Sequence, residues 1–284
     1  MEEKKTLAEV IDKQTDKILK GLSGSEFKRS RKLVENIKGF MSISGGAGAS
    51  TIVANLAYKM ISSGMSVAII DLNICYPCQY MYASMDTKID RLDAVNYLYG
   101  EYKLKDCLWI KGDLALLTAN NRNIGDRINL DKRDAGDNLD LAIDRLSELY
   151  DVVLIDIPKE IDHTLVDVAM YKIDEIYFIW DESISSISNY IRLKDNMGFT
   201  GLGNKREINI MNKRTGIRYS ESILAKLKVE ISDILYMSEG VIESGLRGEI
   251  YCKKGQSIDK TGKEFEKAIE SILNKIIING GGVI

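Results

Sequence analysis

The sequence predicts a doubly wound α/β domain, a mostly parallel sheet with helices on both faces, behind a short helical extension. Three observations carry this. From Lys38 onward, strand-length apolar runs alternate with helical patterns, as a chain of βαβ units requires. Three of the runs, Val67–Ile70, Val152–Ile155 and Ile176–Ile179, are apolar at every position, which suits strands buried on both faces of a parallel sheet. A Gly-rich turn joins the first run to the first helical pattern, at the carboxyl end of a strand where open α/β sheets hold their ligands.

Composition narrows the class. The chain has 284 residues, 45% hydrophobic and 29% charged, with a net charge of −3. That balance argues against broad non-specific nucleic-acid binding, which needs a strongly basic surface. No apolar stretch reaches the roughly 20 residues of a membrane span, and no signal-peptide pattern opens the chain, so a soluble cytoplasmic protein is expected. Cys75, Cys78, Cys107 and Cys252 do not form a disulfide scaffold in such a chain. Cys75 and Cys78 make a C-x-x-C without further ligands at metal spacing, so reduced thiols are expected.

Residues 1–37 stand apart as a first domain. Thr6 and Glu9 form a capping box, and Leu7, Val10, Ile11, Ile18 and Leu22 follow at helical spacing. Gly21–Ser25 breaks the pattern before a second helix, Glu26–Ile37, carrying Lys28, Arg29, Arg31 and Lys32. A solvated extension packed on the body and a docking arm for a partner both fit. The domain proper, 38–284, has strand runs at Gly39–Ser44, Ser66–Leu72, Leu114–Ala119, Val152–Ile157, Glu175–Trp180 and Glu207–Asn212. Phe265, Ala268, Ile269, Ile272, Leu273 and Ile276 give the last helix an apolar stripe opposite a mixed-charge face. That stripe reads as core packing rather than membrane binding. His163, the single histidine, is read as structural.

Residues Met41–Thr51 spell Met-Ser-Ile-Ser-Gly-Gly-Ala-Gly-Ala-Ser-Thr. Strand, Gly-rich turn and helix start together make a phosphate cradle: glycines let backbone N–H groups turn to an anion, and the helix N-terminus adds partial positive charge. The ordinary loop has a lysine just before its Ser/Thr to reach the outer phosphates; here that position is Ala49. Asp71, Asp156 and Asn212 close three of the strand runs. A carboxylate there, facing a phosphate loop, is placed to hold Mg²⁺ directly or through water.

The pattern resembles the MinD/ParA group of P-loop ATPases with a deviant phosphate loop. Within it, Gly45-Gly46-Ala47-Gly48-Ala49-Ser50-Thr51 is similar to the CpaE/TadZ branch, which acts in Flp/Tad-type pilus assembly and polar placement. The resemblance spans about residues 38–278. It implies that Gly45, Gly46, Ala47, Gly48, Ala49, Ser50 and Thr51 hold the phosphates of ATP or ADP. Ser50 and Asp156 would hold Mg²⁺, Asp71 would serve the switch-side water network as the catalytic candidate, and Asn212 and Lys213 would meet the base. Ile234–Glu249 resembles the family's C-terminal nucleotide-side loop.

Where the family has a dimer-crossing lysine this chain has Ser44, and where it has a second acid this chain has Asn73. An amide orients water but does not take its proton. Losing a phosphate-clamping cation costs about 10²–10³ in rate, by analogy with a lost oxyanion donor. The resemblance therefore implies an ATP- or ADP-binding localisation or assembly factor of a Tad/Flp-type pilus or secretion system, with very weak hydrolysis or none. It also implies a homodimer, protein partners in that machinery, and recruitment by a partner to the pole or the inner face of the membrane. Two alternatives stay open: an active partitioning or division-positioning ATPase, and a nucleotide-free scaffold.

Overall fold

A computed structural model describes residues 33–85, 92–120, 133–159, 164–197, 205–215, 219–254 and 260–281. The expected extension up to residue 32, and His163, lie outside the described residues. The strands are β1 (Ile37–Ser42), β2 (Val67–Asp71), β3 (Trp109–Lys111), β4 (Leu114–Leu117), β5 (Val152–Ile157), β6 (Glu175–Trp180), β7 (Arg206–Arg214) and β8 (Ile231–Tyr236). The helices are α1 (Ala49–Ser62), α2 (Gln79–Tyr82), α3 (Ala94–Leu98), α4 (Leu104–Cys107), α5 (Arg133–Leu149), α6 (Thr164–Lys172), α7 (Ile184–Met197), α8 (Tyr219–Lys226), α9 (Glu239–Leu246) and α10 (Lys260–Asn279).

The strands form one sheet in the order β3-β4-β2-β5-β1-β6-β7-β8. Every pairing is parallel except β3 with β4. The alternation of side chains across a strand explains the continuous apolar runs. On one face Phe40, Val67, Ile69, Val152, Leu154 and Tyr177 pack against α1 and α10. On the other, Met41, Ala68, Ile70, Val153, Ile155 and Phe178 pack against α5, α6 and α7.

Helix α1 buries Ile52, Val53, Leu56, Ala57 and Met60, a stripe at helical period. It stops at a Schellman turn: Gly64 takes φ 83, and Met65 N–H donates to the Met60 carbonyl at 3.1 Å, satisfying carbonyls the helix would leave orphaned. Helix α10 buries Phe265, Ile269, Ile272, Leu273 and Ile276 in the same core. Its stripe is core-facing. Among the described residues no helix is long and apolar enough to cross a membrane.

Three boundaries differ from the sequence reading. The helix expected to end at Ile37 does not reach it. Residues 33–36 carry no helix, and Ile37 opens β1. Leu33 is buried, and Val34 N–H donates to the Gly280 carbonyl at 2.9 Å, so these residues belong to the body. The expected loop Ile234–Glu249 contains the end of β8 and helix α9. Finally, β3 and β8 answer to no predicted run. β3 has only three residues. β8 is an edge strand whose Asp233 is buried against Lys275 of α10 at 2.7 Å, so a polar residue sits where a core run would be apolar.

Candidate functional site

The site is built from the turn that leaves β1, whose neighbours are β5 and β6. Gly46 and Gly48 adopt φ 79 and 101, left-handed conformations that only glycine takes without strain. Gly48 is the N-cap of α1 and makes no side-chain cap bond of its own. Ala49 N–H donates to Ser42 Oγ at 3.2 Å. A helix start capped only by a left-handed glycine is a backbone arrangement suited to binding an anion.

Side chains from β7 and α7 brace this turn. Asn212 Nδ2 donates to the Ala47 carbonyl at 2.7 Å, and Lys213 Nζ donates to the Gly46 carbonyl at 2.6 Å. Asn189 Nδ2 donates to the Ile43 carbonyl at 3.0 Å. Ser44 is buried, with 2% of its surface exposed.

Asp71 and Asp156 end adjacent strands and are partners in register across β2 and β5. Both are buried. Asp71 accepts from the N–H groups of Asn73, Cys78 and Gln79 and from Thr118 Oγ1, at 3.0–3.2 Å. Burial lifts its carboxyl to about 6 in spite of these donors. Asp156 is lifted to about 7, first by burial and then by the Asp71 charge, with hydrogen bonds from Gln79 and Ser50 opposing. Two buried carboxyls that disfavour each other's ionisation form a corner that a divalent cation would relieve.

Gln79 ties this corner together. Its Nε2 lies 2.7 Å from Asp156 Oδ2 and 3.1 Å from the Ser50 carbonyl. Both neighbours are acceptors, which fixes which end of the amide faces them. Its Oε1 is buried with no hydrogen-bond partner. Cys78 beside it is pushed up to about 12 by burial and by the two aspartates. It is therefore a protonated thiol and a poor nucleophile. Cys75 and Cys78 are both free.

Two clefts flank the turn. One is lined by Gly48, Thr51, Tyr82, Asn212, Tyr236 and Ile242, and Thr51 Oγ1 and Tyr82 Oη are hydrogen-bonded there at 2.9 Å. The other is lined by Ser42, Ile43, Lys159, Asn189, Arg192 and Leu193.

The model of a protein family described as AAA domain matches residues 36–189, which holds β1, the glycine turn, Asp71 and Asp156. The chain belongs to this AAA-domain family. The family match ends in α7, so β7 and the Asn212 cleft lie beyond it. An uncharacterized ATP-binding protein of Methanocaldococcus jannaschii is 25% identical over 249 residues, covering 84% of each chain. A ParA family ATPase from Chlorobium tepidum aligns in structure with a TM-score of 0.68 at 20% identity, over 84% of this chain and 99% of that one. The septum site-determining protein MinD of Pyrococcus horikoshii, solved with Mg-ADP, aligns with a TM-score of 0.67 at 20% identity, over 84% and 95%. The fold is thus that of the MinD/ParA P-loop ATPases.

The predicted site residues lie at the carboxyl ends of β1, β2, β5 and β7, in the turn after β1 or in the first turn of α1. Asp71, expected to serve the switch-side water network, is buried and accepts from four donors. Asn212 and Lys213, expected at the base, touch the glycine turn. The sequence reading passed over Gln79, Tyr82 and Lys159, and named Tyr236 only as part of Ile234–Glu249. Gln79 follows the C-x-x-C directly, but only the fold-back of residues 73–78 onto Asp71 brings it to Asp156.

Proposed function

We propose that this AAA-domain family member binds ATP or ADP with Mg²⁺ and acts as a localisation or assembly factor of a Tad/Flp-type pilus or secretion system, with very weak hydrolysis. The observation that carries the nucleotide reading is the glycine-capped start of α1 behind left-handed Gly46 and Gly48, with the Ser50–Asp156 corner on one side and the Tyr82–Tyr236 cleft on the other. Backbone N–H groups from Gly46 to Thr51 would receive the phosphates, and the Tyr82 cleft would receive the base. Ser50 and Asp156 would hold Mg²⁺, which supplies charge neutralisation between phosphate oxygens. Asp71 would position the turn 73–79, and Gln79 would orient Asp156.

Weak turnover follows from what stands at three positions. Ala49 and Ser44 carry no charge, and Asn73 has no carboxylate to accept a proton. The pilus assignment is supported by the resemblance of the Gly-Gly-Ala-Gly-Ala-Ser-Thr turn alone. A homodimer is part of the proposal. With an enclosed Ser44 in place of a long cation, its formation would depend little on the terminal phosphate.

Calorimetry with Mg-ATP and Mg-ADP, paired with phosphate release on the same sample, tests the reading. Tight binding without turnover is the expected result. Brisk turnover would restore an active positioning ATPase, and no binding of either nucleotide would leave a scaffold.

A further inference from the structure

We infer that Lys213 and Lys159, from outside the glycine turn, supply the phosphate-facing cations that the turn itself lacks: Lys213 for the inner phosphates and Lys159 for the terminal one. The inference rests on the nucleotide reading above and deepens it.

The geometry begins in β7. Met211 pairs with Ile234 of β8 and Arg214 with Tyr236, so three steps along β7 match two along β8. The extra residue makes a bulge at Asn212-Lys213, and bulges beside binding sites re-aim side chains. Lys213 takes φ 54, a left-handed conformation that a lysine keeps only where its surroundings demand it. Arg214 anchors the far side of the bulge through an ion pair with Glu182 at 2.8 Å. The outcome is an ammonium 2.6 Å from the Gly46 carbonyl. That bond uses one of three donors and leaves the charge at the lip of the turn.

Lys159 comes from the opposite flank, two residues past β5. A methyl group placed on Gly45 would lie 3.4 Å from its Nζ. The two ammonium groups therefore bracket Gly45-Gly46. Their order along a nucleotide follows from the clefts. Lys213 also lines the cleft proposed for the base, whereas Lys159 lines the other one. A triphosphate running from the base cleft across the turn meets Lys213 first and Lys159 last. Neither ammonium needs a position inside the loop, so Ala49 can remain small and buried in the core at the start of α1.

The test is calorimetric titration of the full chain with Mg-ATP and Mg-ADP at several salt concentrations, for the wild type, Lys213→Met, Lys213→Arg, Lys159→Met and the exposed control Lys267→Met. Charge-assisted contacts of this kind carry about tenfold to a hundredfold in affinity. Lys213→Met should weaken both nucleotides about tenfold or more and flatten the salt dependence, and Lys213→Arg should recover most of the loss. Lys159→Met should weaken ATP similarly while leaving ADP near wild type. Unliganded melting temperatures within a degree or two of wild type exclude misfolding as the cause. Wild-type ATP affinity in both methionine variants would overturn the inference alone, as would an affinity loss in Lys213→Met with an unchanged salt slope, the mark of a contact to the base. A wild type that binds neither nucleotide would overturn the nucleotide reading and this inference together.

Discussion

Gly48 shows how tightly a single residue is specified here. At φ 101 a side chain is strained, and an added Cβ would sit 2.5 Å from Asn212 Nδ2, the atom that holds the Ala47 carbonyl. Gly48→Ala should destabilise the chain by about 1–3 kcal/mol and displace the N–H groups of the turn. Urea unfolding and nucleotide calorimetry on the same variant check this; full affinity would mean that the turn tolerates the change. Asp71 and Asp156 give a second residue-level expectation. Their folded carboxyls titrate near 6 and near 7, above the ordinary 3.8, so the folded state keeps protons that the unfolded chain gives up. The stability from this source is complete below about pH 4 and is lost as pH rises through 6 and 7. The urea midpoint of the unliganded protein should therefore drop between pH 5 and 8, and by less in Asp156→Asn. An equal drop in the variant would remove Asp156 from the account.

At the scale of elements, β1 is the strand on which the site depends, and its packing is close. An added Cβ on Gly39 would meet Ile157 Cδ1 at 2.9 Å and Ile173 Cγ2 at 3.0 Å. Gly39→Ala should cost about 1–3 kcal/mol by overpacking, visible as a lower urea midpoint with an unchanged slope. A neutral result would show that β5 and the turn after α6 give way more easily than a close-packed core should. Elements buried on both faces were legible in the sequence for the same reason that they are rigid. Glu175–Trp180 has in the structure the bounds its apolar run predicts, because every side chain from Ile176 to Trp180 is enclosed. The edge strands were not legible: β3 is too short to show a period, and β8 alternates exposed residues with a charged one satisfied by α10. The glycine turn was legible because its demands on backbone conformation fall on residue type. Gln79 and Lys159 were not, because their importance lies in which distant chain segment they touch.

For the whole molecule, the expectation is thermal. A ligand that binds only the folded chain at about 100 times its dissociation constant adds about 2.7 kcal/mol, which raises the melting temperature of a chain this size by several degrees. Trp180, enclosed in β6 with its Nε1 donating to Asn209 Oδ1 at 2.9 Å, offers a fluorescence probe of core melting. Saturating Mg-ATP or Mg-ADP should delay that transition, and a melting curve indifferent to both would count against a nucleotide site anywhere in the molecule.

The one-turn helix α2 has a consequence for how such a site can respond. Gln79 at its first position grips Asp156 and the Ser50 carbonyl, and Tyr82 at its last is bonded to Thr51 and lines the Tyr236 cleft. Four residues thus span the Asp156 corner and the opposite cleft like the beam of a balance, with both pans hung from the first turn of α1. If the proposed base and Mg²⁺ occupy those two ends, loading one should tilt the other, and the two occupancies should be felt as one event.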